Sequence, residues 1–387
     1  MASSSAISVT GVVGNFFIRN KLVNGSFDLW QRGLTFNAIV DGVTKQNIYT
    51  ADRWIALNGG GGLTVGRGNF ARNQVVVPEY PSYYLSYEMK GVTKSGTPAV
   101  LQKIDDVTKF AGKNITFSFY GNVSGLTFNP LAGGTSGISS GYLPATIRVR
   151  QYLGSGGSGG NLTSDTISYT KGISLYVNTW NRYTASFSMN NLSGKTLGTI
   201  GSDFTSFEVR LPMVVSGGSA VSYLPNSTYG DPDVNTGFTS SNINGYTLGY
   251  SFYIANAQVD VGNATSYERR DLATELQLAQ QYFRKTFAYD IIPGNSSGYT
   301  AGALLNSGGV ISSGNAAVSY NLSPKMRTTP SVTFYSIKGN SGGWSTPATT
   351  GATGFVTASS SENLLIGSTG GTIAVNSYIH LAADAEI

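Results

Sequence analysis

In the stretch NITFSFYGNV, residues 114–123, Ile115, Phe117 and Phe119 alternate with Thr116, Ser118 and Tyr120. A period of two places one set on a buried face of a β-strand and leaves the other to solvent. The same pattern recurs downstream. In ATIRVRQYL (145–153), Ile147 and Val149 alternate with Arg148 and Arg150. In RYTASFSM (182–189), Tyr183, Ala185, Phe187 and Met189 share a face. FEVRLPMVV (207–215) and YSFYIANAQVDVG (250–262) follow, and Pro212 inside the first of these marks an edge strand or a bulge. Many short strands punctuated by glycine and serine point to an all-β sandwich.

Composition agrees. The chain of 387 residues holds 50 glycines, 23 tyrosines and 18 phenylalanines, and only 12% of it is charged. So many aromatic residues supply a large core, which separates this chain from glycine-rich disordered sequences. With no cysteine there is no disulfide framework and no thiol chemistry. His380 is the single histidine, so a zinc site is not expected, and no cofactor is. The net charge of +5 comes from scattered bases whose densest pairs are Arg148/Arg150, Arg269/Arg270, Arg284/Lys285 and Lys325/Arg327. No nucleic-acid partner is expected from so dispersed a pattern. The first 20 residues lack the charged start and apolar core of a secretory signal, and no run is long enough to span a membrane, so the reading is a protein folded in a cytoplasm without membrane insertion.

Against this β background, NATSYERRDLATELQLAQQYFRKTF (263–287) reads as a helix over about 268–287. Ser266 or Asp271 is placed to cap it, and Glu275 suits the positive end of its dipole. Leu272, Leu276, Ala279 and Phe283 form a stripe spaced four, three and four residues apart. That stripe packs on the chain's own sandwich or serves a short three-helix seam. The expected organisation is an N-terminal arm (1–20) for attachment, a β-sandwich (21–265), a linking helix (266–290) and a small C-terminal β-sandwich (291–387). The loops 133–141, 154–160 and 224–245 are the longest, at sandwich ends where binding is often found.

Motifs for chemistry are weak. GSGGSG (154–159) matches a dinucleotide fingerprint, but GNLTSDTISY after it cannot be the required helix. SGKT (193–196) fails as a phosphate loop because Met189 stands where glycine is needed. Carboxylates such as Asp105/Asp106, Asp231/Asp233, Glu79 and Glu88 leave glycan hydrolysis open as an alternative. Aromatic platforms for sugar are better motivated, because a sugar stacks its apolar face on an aromatic ring. Trp344, in the glycine-rich GNSGGWSTP, and Tyr83 and Tyr84 in EYPSYYLSYE are the candidates, while Trp30 and Trp54 read as core.

Two further stretches, KLVNGSFDLWQRGLTF (21–36) and YTADRWIAL (49–57), resemble the opening of a class of bacteriophage tail-fibre and virion-surface proteins. AQVDVGNATSYERRDLATELQLAQQYFRKTF (257–287) and SPKMRTTPSVTFY (323–335) are similar to later blocks of the same class, with Ala279 where a cysteine is common. The resemblance implies a jelly roll similar to carbohydrate-binding modules, then a helix and a C-terminal β domain. It also implies a homotrimer, a place on the virion through the N-terminal arm, and a host-surface glycan as partner. Capsid decoration without receptor binding is the main alternative.

Overall fold

The computed structural model describes residues 19–39, 48–58, 62–90, 98–129, 141–157, 165–211, 247–296, 298, 300–339, 342–348 and 350–387. Two six-stranded antiparallel sheets pack face to face as the expected jelly-roll sandwich of an all-β fold. From edge to edge the first sheet runs Thr35–Ile39, Gly62–Asn69, Tyr83–Lys90, Thr247–Val261, Asn114–Asn129 and Asn181–Ser188. The second runs Ile48–Tyr49, Trp54–Leu57, Ala99–Asp105, Phe204–Arg210, Tyr142–Tyr152 and Thr166–Tyr176. Alternation decides what lies between them. Ile115, Phe117 and Phe119 are buried together with Phe207, Phe252 and Tyr87. Phe117 meets Phe207 with ring centroids 5.8 Å apart across the two sheets. Each such side chain contributes about 1.5–3 kcal/mol when fully buried.

The second sheet departs from simple alternation. Arg148, Glu208 and Arg210 occupy positions that alternate with the core residues Ile147, Val149, Phe207 and Val209, yet all three are buried. Glu208 accepts from Arg148 and Arg150, each at 2.6 Å, and from the Ser206 hydroxyl at 2.7 Å. Burial opposes the charge on Glu208, but the two guanidinium groups outweigh it and hold the carboxyl at about 2. Phe204–Arg210 is hydrogen-bonded on both sides, so this run is a central strand and neither an edge nor a bulge. It closes before Pro212, which lies outside the described residues.

The helix is shorter than its sequence suggests. It covers Leu272–Gln280, and Asp271 caps it by accepting from Thr274 N at 3.0 Å. It stops because Phe283–Lys285 leaves the helical path and pairs with Ala382–Asp384. The C-terminal unit is an eight-stranded antiparallel sheet folded about the strand Ser377–Asp384. That strand pairs with Phe283–Lys285 and Ser331–Tyr335 toward one end and with Leu304–Asn306 and Gly343–Ser345 toward the other. It encloses a second core that includes Leu322, Trp344, Ile366 and Leu381.

A buried joint fastens this unit to the sandwich. Arg53 pairs with Glu386 and lies 3.4 Å over the Tyr282 ring. Arg32 reaches Asp384 at 3.0 Å and covers Phe283 at 3.7 Å. Lys285 Nζ donates to the carbonyls of Gln31, Tyr289 and Ile291 at 2.6–2.9 Å. Burial pulls this ammonium down to about 8. On the helix side, Glu275 accepts from Asn24 N at 2.8 Å and from Arg270 at 2.7 Å. Residues of NGSFDLWQRG, TADRW and YERRDLATE thus meet in space. Trp30 and Trp54 lie in the core beneath them, as their contexts predict.

Candidate functional site

The outward side of the first sheet is different in kind. Along Tyr83–Lys90, Leu85, Tyr87 and Met89 point into the core, so Tyr84, Ser86 and Glu88 face outward. Along Thr247–Val261, Phe252 and Ile254 point inward and Tyr253 outward. Tyr84 and Tyr253 meet there with centroids 5.2 Å apart. Trp180 joins them from the turn that carries the chain from the second sheet to the edge of the first. Its ring lies 5.5 Å from Tyr84 and 6.3 Å from Tyr253. Phe70, just past the end of Gly62–Asn69, completes the cluster at 4.9 Å from Tyr84 and 5.0 Å from Trp180. All four rings are half-buried.

Gly68 sets the Tyr84 ring. The two are cross-strand partners, and a Cβ at Gly68 would overlap that ring, so only glycine lets it lie against the sheet. Burial, with Tyr253 second, raises the Tyr84 phenol above its ordinary pKa, which keeps it a neutral donor at physiological pH. Tyr253 is within 2.8 Å of the Ser124 hydroxyl. Asn122, directly opposite Tyr253, holds Oδ1 out of solvent with no partner among the described residues. The next outward row is Thr64, Glu88, Ser251 and Ser124. Rings at one end and hydroxyl, amide and carboxylate groups beyond them suit stacking combined with hydrogen bonding.

The residues singled out from sequence fare unequally. Tyr84 belongs to this cluster. Tyr83 does not, since it points the other way and stacks under Arg67 at 4.2 Å. Trp344 is fully buried and donates Nε1–H to the Gly367 carbonyl at 2.9 Å, so the expectation that it stands exposed as a sugar platform is corrected. The surrounding glycines let neighbouring backbone segments come close: a Cβ on Gly343 would strike the Ala352 carbonyl. A Cβ on Gly351 would strike the Trp344 backbone. The helical stripe is also broken up. Leu272 is 58% exposed, Ala279 is buried, and Phe283 lies on a strand beneath Arg32. A continuous four-residue seam for a three-helix contact is therefore not present on this helix.

Phe70, Trp180 and Tyr253 escaped the sequence reading. The available signal was phase, because Tyr84 and Tyr253 interrupt the apolar alternation of their own strands. The arm 1–18, the loop 224–245 and Asp231/Asp233 lie outside the described residues, as does 133–141 except Gly141. Asp105 accepts from Tyr282 at 2.5 Å and pairs with Lys109 at 3.1 Å, and Asp106 caps a short 3-10 turn through Thr108 N. His380 is buried, stacked on Phe287 at 3.9 Å and 2.9 Å from the Thr286 hydroxyl. Among the described residues no group of three acidic, histidine or cysteine side chains could hold a metal, and no helix is long and apolar enough to cross a membrane.

No family model and no curated protein matches the chain. Among solved structures it is similar to the enzymatically active domain of bacteriophage CBA120 tailspike protein 4, at 14% identity and a TM-score of 0.28. That match takes in 62% of this chain and 21% of the other, so the chain spans about a fifth of the tailspike domain. It is also similar to the C-terminal family 22 carbohydrate-binding module of Clostridium thermocellum Xyn10B, at 11% identity, 60% and 98% coverage and a TM-score of 0.27. TmCBM61, solved with β-1,4-galactotriose, matches at 8% identity, 63% and 99% coverage and a TM-score of 0.25. Likeness at this level leaves function to be argued from the residues themselves.

Proposed function

We propose that this chain is a non-enzymatic surface protein of a bacteriophage particle, and that it adheres to host-surface glycan through the outward face of its first sheet. The observation that carries the adhesion reading is the cluster of Phe70, Tyr84, Trp180 and Tyr253, half-buried on a face flanked by polar side chains. The phage assignment rests on the resemblance of roughly residues 21–60 and 250–336 to virion-surface proteins, as does the proposal of a trimer attached through its N-terminal arm. Weak sugar contacts, multiplied over copies held on one particle, suffice for firm attachment because tethering raises effective concentration. The engagement of Asp105 with Tyr282 and Lys109, and of His380 with Phe287 and Thr286, supports a structural rather than a hydrolytic role for these two groups.

The test is binding of the purified chain to cells of the host bacterium. Wild type is expected to bind and Trp180→Ala to lose at least tenfold. Equal binding by both would remove the cluster from adhesion. Prolonged incubation with host polysaccharide is expected to release no reducing ends, and release would restore the enzyme alternative. Immunolabelling at the capsid, with no cell binding, would instead support decoration.

A further inference from the structure

The C-terminal unit holds a surface that neither the joint nor the aromatic cluster uses. Between Ile291 and Ala383 the sequence carries only four charged residues, Lys325, Arg327, Lys338 and Glu362, although 12% of the whole chain is charged. Lys325 and Glu362 pair with each other at 2.9 Å. Arg327 turns toward the joint, donating to the carbonyls of Gly201 and Ala385, each at 3.0 Å, and of Glu386 at 3.2 Å. Lys338 donates to the Ala348 carbonyl. Yet Phe355 is 45% exposed and Leu365 38%. Both stand on the outward side of the strands Thr350–Ser359, Asn363–Thr369 and Ala316–Asn321, which pair in that order. A Cβ on Gly354 would meet Ile379 and Phe334, so that side of the strand faces the core, and Thr353 and Phe355 face away. Leu365 lies between Leu364 and Ile366, which are both in the second core. Thr353 is the cross-strand partner of Thr369, and Ser319 of Leu365, and these three polar residues are exposed. An apolar centre with a hydroxyl rim is the anatomy of a protein–protein contact.

We infer that this face is where copies of the chain meet, with Phe355 and Leu365 close to a shared symmetry axis. The inference locates the contact that the trimer proposal leaves open, and it does not depend on the glycan. Near a rotation axis each residue faces its own counterpart. An unbalanced charge there meets the same charge and is repelled. None of the three strands contains a charged residue. Such a face suits a second copy, whereas the charge complementarity that steers and selects a foreign partner has nothing to act on. Size sets the strength. Three strands about 4.8 Å apart and about seven residues long give a plan area of roughly 300–400 Å². A standard interface takes about 800 Å² from each partner, so the contact is weak between free chains. Copies tethered to one particle gain effective concentration and hold together more firmly.

Sedimentation velocity of the full chain over about 1–500 µM tests this. Wild type is expected to pass from the mass of one 40.7 kDa chain to a multiple of it as concentration rises. Phe355→Asp and Leu365→Asp are each expected to raise the midpoint of association at least about tenfold, with thermal unfolding confirming that each variant folds. Thr369→Lys leaves the apolar centre intact. It is expected to weaken association at low salt and to regain it at about 0.5 M salt, where repulsion across the axis is screened. Its side chain is exposed, so its result stands even if the aspartate variants are unstable. A wild type that stays monomeric at the highest concentration would overturn the inference. Association that survives all three substitutions would overturn the placement on this face. A monomer whose binding to host cells is lost in Phe355→Asp would overturn it in favour of a host contact here. A two-chain mass abolished by Phe355→Asp would support this face and remove the trimer from the proposed function.

Discussion

The joint and the outward face of the first sheet use opposite chemistry. In the joint, the side chains of Arg53, Lys285, Glu275 and Arg270 are withdrawn from water and held by ion pairs or backbone carbonyls, and the buried Asp52 accepts from the backbone N–H and side-chain amide of Gln31. On the outward face the large side chains are aromatic and half-exposed, with hydroxyls between them. A chain with few charges places many of them where water is excluded and leaves rings where water is present. Buried ion pairs are a poor source of net stability but are costly to break, because the surviving partner is left unpaired. The joint therefore specifies one arrangement of the two β units, while the face keeps its rings accessible.

The strongest way to break this comparison is Arg53→Ala. It removes the partner of Glu386 and the cation over Tyr282. Urea unfolding is expected to show a loss of about 3–5 kcal/mol. A loss below about 1 kcal/mol would mean that the joint does not hold the units.

Acid sharpens the same contrast through Glu208, the buried carboxylate of the second sheet. Its folded pKa, about 2, lies below its unfolded value, so the unfolded state binds the proton first as pH falls. The stabilisation is complete above about pH 4.5 and is lost as pH falls toward 2, on the order of 3 kcal/mol in all. Glu208→Gln is expected to lower stability at pH 7 and to flatten this acid limb. An acid midpoint unchanged by the substitution would contradict the assignment.

The smallest effects belong to the face. Trp180→Ala is expected to cost about 1–2 kcal/mol in urea, since its ring is only half-buried. Tyr83→Ser, on the other side of the strand from the cluster, is expected to leave binding to host cells within about twofold. A large loss of cell binding in Tyr83→Ser would shift the contact surface to the rim beside Arg67.

Much of the fold was legible because alternation is a local signal. Ile115, Phe117 and Phe119 face the core as their phase demands, and Asp271 caps the helix. Failures came where a distant segment decided the outcome. Phe283 continues a helical stripe in sequence but pairs with Asp384, which is a hundred residues away. Trp344 looked exposed among glycines, yet those glycines let neighbouring backbone approach closely while the indole packs into the second core. Arg148 and Glu208 read as solvent-facing by phase, although both are buried. Half of the aromatic cluster was hidden for a similar reason, since Phe70 and Trp180 lie outside regular strands and join only in three dimensions.

The most direct test of the account is saturation-transfer NMR of oligosaccharides prepared from the host-surface glycan, in the presence of the full chain. Wild type and Tyr83→Ser should transfer magnetisation to the sugar ring protons, and folded Trp180→Ala should not. Undiminished transfer in Trp180→Ala would contradict the claim that this cluster is where the protein meets its glycan.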